Sequence, residues 1–227
     1  MRNRIMALSI AAAVTALLPA SAGAATIDWT NWTTVTPGSP TGGTASGTAG
    51  GIGVTYSGEV LTPYNPIWTP TTTWADGTVI ANAPPGGAQG YIGLQGGTGA
   101  GIDTITFSAP VTNPVMAVWS LGQPGLVASF QFTPSEPFTI VAGGPSTQYA
   151  GSSIYGCGTG VCGSEGNGSI EFLGTFSSIS FTTPYAEYWY AFNVGVNATA
   201  PGPLPGAGFA GLAALALAAL YARTRRA

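Results

Sequence analysis

Hydrophobic and polar residues alternate with a period of two in several short stretches of this chain of 227 residues. In the segment DTITF, Asp103, Ile105 and Phe107 fall on one side, and Thr104 and Thr106 fall on the other. The segments ASFQFT, FSSISFTT and YWYAFNVGV repeat the alternation, and glycine or proline lies between them. A period of two between such breaks is typical of β-strands that have one buried face.

Short segments of this kind recur between residues 25 and 200, and no stretch there has the apolar period of a helix. Residues 26–35, which are rich in threonine and tryptophan, are predicted to form the first strand. The sequence therefore predicts an all-β body over residues 25–200, an antiparallel β-sandwich of the jelly-roll kind. The glycine-rich segment 36–53 is predicted to be a flexible loop because it has little to bury. Residues 84–101 are predicted to be a second flexible region, with a short strand around Tyr91–Leu94. Trp119 and Trp189 fall within predicted strands, so we expect them to pack in the core.

The chain starts with a pattern that is typical of export. Two arginines within the first four residues precede an apolar run, residues 5–18, that is too short to span a bilayer comfortably. Ala22 and Ala24 then form an A-x-A cleavage site. Residues 1–24 are predicted to be a Sec signal peptide cut after Ala24, with a cut after Ala22 as the alternative. The Sec translocon and signal peptidase are the partners that such a segment requires.

A second apolar stretch lies at the other end of the sequence, over residues 207–221, and arginines follow it at once. Its length is close to the lower limit for a transmembrane helix. Because arginines next to a membrane helix stay on the cytoplasmic side, the body of the protein is predicted to lie outside. The residues alone therefore indicate an anchor in the inner membrane.

A proline-rich motif precedes this predicted helix, and the three parts together resemble the PEP-CTERM group of bacterial sorting signals, in particular the variant with Val-Pro-Leu-Pro-Ala. The matching residues are Pro203, Leu204 and Pro205 before the helix and Arg223, Arg225 and Arg226 after it. The resemblance covers residues 201–227 and implies processing by an exosortase. It also implies a transient membrane anchor and then release to the cell surface or the extracellular matrix. Residues 168–196 look like the final strands of many PEP-CTERM proteins, a likeness that implies no catalytic residue.

Charge separates the ends of the chain from its body. All five basic residues lie in the two ends and all eight acids lie between them, so the body carries 0 − 8 = −8 from its side chains. Such a surface repels phosphate backbones, which excludes a nucleic-acid partner. Without a cation nearby, the acids must face water, accept hydrogen bonds or share a divalent cation. We expect most of them to be solvated acids beside turns.

Cys157 and Cys162 are the two cysteines of the chain. In an exported protein, a pair this close is expected to form a disulfide that closes a small loop. A zinc site would need four ligands, and the sequence contains no histidine. The C-x₄-C spacing is also not that of a C-x-x-C redox motif, and no cation lies nearby to lower a thiol pKa.

The absence of histidine and of lysine from the body excludes catalysis by a Ser-His pair or by a lysine base. Paired carboxylates remain as an option, as in glycoside hydrolysis. No cofactor is expected apart from calcium, whose oxygen ligands could come from Asp76, Glu165 and Glu171. The sequence has no EF-hand loop, so these three acids are hypotheses based on composition.

Trp68 and Trp74 lie in a segment rich in proline and threonine, where exposed rings could stack on sugars.

The main hypothesis is an exported, surface-sorted structural or adhesive protein of the cell envelope or biofilm matrix, without catalysis. One alternative is a carbohydrate-binding module that uses these loop aromatics, with extracellular polysaccharide as its partner. A further alternative is a glycoside hydrolase with paired carboxylates.

Overall fold

The computed structural model describes residues 26–61, 79–85, 90–97, 99, 101–146 and 150–198, which form two β-sheets. The first sheet contains β1 (Ile27–Trp29), β5 (Ile92–Leu94), β7 (Val115–Leu121), β9 (Phe138–Gly143), β10 (Ser152–Ser153), β13 (Gly166–Phe172) and β15 (Tyr190–Asn197). The second contains β2 (Asn31–Thr36), β3 (Gly38–Ala49), β4 (Ile52–Val60), β6 (Asp103–Thr112), β8 (Ala128–Phe132), β11 (Tyr155–Cys157), β12 (Gly160–Gly163) and β14 (Thr175–Thr182).

The order of strands in the seven-stranded sheet is β1-β15-β7-β13-β10, with β5 also paired to β15 and β9 to β13. The eight-stranded sheet has the order β11-β12-β8-β14-β6-β4-β3-β2. Every pairing between the described strands is antiparallel except that of β10 with β13. None of the described segments is an apolar helix long enough to cross a membrane. The predicted all-β sandwich is confirmed at this level.

The main core lies between the two sheets and is rich in aromatic rings. Phe130 of the eight-stranded sheet makes edge-to-face contacts with Tyr190 and Phe192 of the other sheet, with ring centroids 5.4 and 6.1 Å apart. The apolar side of each predicted alternation is buried here, as expected. Tyr188 is the exception, because it precedes β15 and is 72% exposed.

A second apolar cluster covers the outer face of the seven-stranded sheet. Trp119 is buried in this cluster, which confirms that it packs in a core, although this core is not the one between the sheets. Trp189 precedes β15 and packs edge to face on Trp119, with ring centroids 4.9 Å apart. Residues 79–85 close over this face, where Asn82 exchanges hydrogen bonds with the backbone of Ile27.

The glycine-rich segment 36–53 lies mostly in strands, which corrects the prediction of a flexible loop. Most of it forms β3, a strand of 12 residues that pairs with β2 on one side and β4 on the other. Ala45 and Ala49 are buried, so small side chains suffice on the inward face. A Cβ at Gly47 would lie 2.2 Å from the carbonyl oxygen of Asn31, so glycine allows the close approach of β2.

Candidate functional site

Serine and threonine occupy the outward positions of five neighbouring strands in the eight-stranded sheet. The register aligns them in two rows across β2, β3, β4, β6 and β14. One row is Thr36, Thr44, Ser57, Thr104 and Ser180, and the other is Thr34, Ser46, Thr55, Thr106 and Ser178. These residues are called the hydroxyl array below.

The array is regular because no register shift falls inside it. The irregularity of β2 lies between Trp32 and Thr34, and that of β14 lies between Phe176 and Ser178. Neighbours in a row are therefore about 4.8 Å apart, and the two rows are about 6.7 Å apart. A partner with repeating polar groups would meet the same chemistry at successive positions.

The array results from a triplet that each of its strands contains. A hydroxyl residue, an apolar residue and a second hydroxyl residue follow one another, as in Thr104-Ile105-Thr106. The middle residue points into the core, and Ile105 and Ile179 are at most 1% exposed. The flanking hydroxyls must then point outward, because successive side chains of a strand lie on opposite faces.

Most hydroxyls of the array have no hydrogen-bond partner among the residues that the structure describes. Thr104 and Ser180 are 3.0 Å apart through their hydroxyl oxygens and bond to each other. The other hydroxyls of the array make no hydrogen bond to any residue that the structure describes. Their donors and acceptors are therefore available to water or to a ligand.

A shallow groove of about 350 Å³ lies over the middle of the array. Its hydroxyl lining comes from Thr34, Thr44, Ser46, Thr55, Ser57, Thr104 and Thr106, all members of the array. No charged side chain of the described residues lines it. Its volume is at the lower end of the range for ligand pockets in proteins.

Two acids are buried where the C-terminal end of β4 lies beside the N-terminal end of β6. Glu59 and Asp103 are each 1% exposed. Asp103 Oδ1 accepts hydrogen bonds from the Glu59 N–H at 2.7 Å and from the Tyr56 hydroxyl at 3.0 Å. Glu59 accepts from Ser39 and from the backbone N–H groups of Gln95 and Gly96. These bonds join β3, β4 and β6 to the segment that follows β5.

The second oxygen of Asp103 has no hydrogen-bond partner among the described residues. The pKa of Asp103 is raised to about 6, mainly by burial. Its two hydrogen bonds oppose this shift, and the neighbouring charge of Glu59 contributes to it. The two carboxyl groups therefore belong to the packing of the core and not to a surface cleft.

A further acid, Glu187, is buried near the end of β7. Its Oε1 accepts a hydrogen bond of 2.7 Å from the Gly122 N–H, and the side chain is 6% exposed. Burial raises the pKa of Glu187 to about 8, and the charge of Glu165 adds to this effect. Glu165 in turn accepts a hydrogen bond of 2.7 Å from the Ser120 hydroxyl. Glu59, Asp103 and Glu187 are thus not solvated, and of the options that the sequence leaves open they take the acceptance of hydrogen bonds.

The predicted calcium ligands are not brought together where the structure describes them. Glu165 precedes β13 and Glu171 lies near its end, so about 15–20 Å of extended chain separates them. One ion would not contact both. No cluster of three or more acidic or cysteine ligands occurs in the described ranges. Asp76, the aromatic candidates Trp68 and Trp74, and the sorting residues in 201–227 lie outside the described residues.

The predicted disulfide is confirmed. Cys157 and Cys162 are bonded, with Cα atoms 5.8 Å apart, and they clamp the hairpin of β11 and β12 at the edge of the eight-stranded sheet. Cys162 is buried, and β12 pairs with β8 of the main core.

We expect Cys157→Ser with Cys162→Ser to lower the free energy of unfolding by roughly 2 kcal/mol, because the unfolded chain regains a small loop. Urea unfolding of the oxidised chain and the double variant checks this. Equal midpoints would show that the bond does not constrain the unfolded chain. Addition of a reductant should shift the native chain toward the variant and leave the variant unchanged.

No protein-family model, curated protein or solved structure matches the chain.

Proposed function

We propose that this chain is an exported, non-catalytic structural or adhesive protein of the cell envelope or exopolysaccharide matrix. The proposal is based on the hydroxyl array, which is an uncharged face with many hydrogen-bonding groups on the larger sheet. The body that carries this face contains no lysine, arginine or histidine. The described sandwich, of the jelly-roll kind predicted from the sequence, is then the mature body. The two ends of the chain direct its export and sorting.

The environment of the acids favours a non-catalytic role over hydrolysis. A glycosidase needs two carboxyl groups that reach the scissile bond of a substrate. Here Glu59, Asp103 and Glu187 are at most 6% exposed, and each accepts a hydrogen bond from a backbone N–H group. These bonds hold loops and strands together, so the acids support the sandwich.

A test of the proposal compares cells that lack the protein with cells that make the native chain or the variant Glu59→Gln with Glu187→Gln. We expect the native chain to be found outside the cell and to increase surface attachment or matrix retention. The variant should do so equally once its folding is verified, because the proposal needs no ionised acid. Attachment that is lost in a folded variant would favour the hydrolase hypothesis instead.

We expect residues 201–227 to be a sorting signal and not a permanent anchor. The support is the order of proline motif, short apolar stretch and arginines in the sequence. The tail is fused to a secreted reporter in a host with a matching exosortase, and the reporter should be shortened and released. The matched control replaces Pro203, Leu204 and Pro205 with alanine and should stay unprocessed. A native fusion that remains full length in the inner membrane would refute the sorting role.

A further inference from the structure

We infer that the hydroxyl array is a binding site for a neutral polysaccharide, which lies in the groove above β3, β4 and β6. The inference rests on the proposed function, since a matrix protein must hold a matrix polymer, and it names the surface that does so. The buried acids Glu59, Asp103 and Glu187 take no part in this site.

The chemistry of the array matches that of an uncharged sugar chain. A serine or threonine hydroxyl donates one hydrogen bond and accepts up to two, as a sugar hydroxyl does. Around the groove, Thr34, Thr44, Ser46, Thr55, Ser57 and Thr106 keep this capacity free of partners among the described residues. Threonine methyl groups beside the hydroxyls offer apolar contact to the C–H faces of a sugar ring.

Charge selects a neutral polymer over an ionic one. The body carries eight acids and no cation, so it repels polyanions such as uronate-rich polysaccharides. The described lining of the groove contains no carboxylate that would attract a polycation. A polymer on this face would therefore be recognised by hydrogen bonds between uncharged groups. The array supplies hydroxyl groups for such bonds along both of its rows.

Length favours a chain over a single sugar. The groove of about 350 Å³ occupies only the middle of the array. The five strands of the array extend over about 19 Å, so the site continues beyond any one sugar ring. Since each neutral hydrogen bond contributes little, binding should strengthen with the length of the polymer.

The experiment uses the full chain, exported and purified, with cellulose, dextran and β-1,3-glucan as neutral probes and alginate as the anionic probe. The site variant is Thr55→Val with Ser57→Ala, on the central strand β4. The matched control is Thr139→Val with Ser135→Ala, which removes the same two groups from β9 and the loop before it. Both pairs lack hydrogen-bond partners among the described residues, so folding should survive, and the melting temperature verifies this.

We expect the native chain and the control to bind at least one neutral probe, and the site variant to bind it about tenfold more weakly. Ser46→Ala with Thr106→Val, on the flanking strands, should weaken binding similarly and replaces the first variant if that variant unfolds. The inference is overturned if no neutral probe binds, if alginate binds better, or if the site variant binds like the control. Loss of binding with Trp68→Ala and Trp74→Ala alone, or inhibition of ice growth without polysaccharide binding, also overturns it.

These outcomes are separable from those of the proposed function. Binding is measured on purified protein, whereas export and attachment are measured on cells. A chain that binds a neutral probe through the array but stays inside the cell contradicts the proposed function alone. A chain that reaches the surface and promotes attachment, but whose purified site variant binds the neutral probes like the control, contradicts the inference alone.

Discussion

Replacement of Asp103 by alanine should lower the free energy of unfolding by about 3 kcal/mol. The substitution removes the acceptor of the Glu59 N–H and of the Tyr56 hydroxyl, and Glu59 and Tyr56 are at most 2% exposed. An unpaired buried donor loses roughly 1–3 kcal/mol, although the Tyr56 hydroxyl also contacts the carbonyl oxygen of Glu59, which limits its loss. Urea unfolding at pH 5 measures the effect while the Asp103 carboxyl is mainly neutral.

Asp103→Asn separates the hydrogen bonds from the charge. Asparagine keeps the Oδ1 acceptor, so we expect it to cost roughly 1 kcal/mol or less. Glu136→Ala serves as the control for loss of a carboxylate in a loop and should change stability by about 0.5 kcal/mol or less. If alanine and asparagine at position 103 are equally destabilising, the two hydrogen bonds are not what makes this carboxyl structural.

The alternation in the sequence indicates that Asp103 is buried, but it does not indicate which groups hydrogen-bond to its carboxyl group. The alternation placed Asp103 on the same side as Ile105 and Phe107, which are buried. Its charge argued for water, because a lone carboxylate in a core is costly. What makes the position tolerable is a pair of donors from β4, more than 40 residues earlier, and such a long-range pairing leaves no local signal.

The first predicted strand shows how tertiary contacts divide a continuous pattern. Residues 26–35 were expected to form one strand, yet β1 belongs to one sheet and β2 to the other. The chain changes sheets at Thr30, whose N–H and hydroxyl both donate to the carbonyl oxygen of Val194. Thr30 lies between two segments that each contain a tryptophan, and nothing in the local sequence predicts that the chain passes from one sheet to the other there.

The hydroxyl array was missed because periodicity describes one strand at a time. The alternation predicts strands at the triplets around Ile105 and Ile179, and it indicates only that their polar sides face solvent. Whether polar sides line up depends on register, and one residue of slip would turn each side chain to the other face. The segment that carries Thr44 and Ser46 was even taken for a loop, because its inward positions are filled by Gly43 and Ala45.

The melting temperature should rise as the pH is lowered from 8 to 5. The folded state holds protons on Glu187, with its pKa raised to about 8, and on Asp103, with its pKa raised to about 6. The unfolded chain releases both protons near pH 4. Since the folded state binds more protons in this interval, the free energy of unfolding decreases as the pH rises, until Glu187 is ionised above about pH 8.

In the folded state Glu187 stays protonated over most of this interval and Asp103 over about one pH unit. At about 1.4 kcal/mol per pH unit for each proton, we expect roughly 5 kcal/mol between pH 5 and 8, or about 10–15 °C. The measurement is a melting series at constant ionic strength, which separates titration of these two acids from screening of the net charge. Glu187→Gln keeps an acceptor for the Gly122 N–H and cannot ionise, so it should flatten most of the curve above pH 6. Glu171→Gln, on β13, should leave the curve as it is in the native chain. A native protein that melts at the same temperature across this range would mean that Glu187 reaches water in solution, and a Glu187→Gln variant with an unchanged slope would assign the titration to another group.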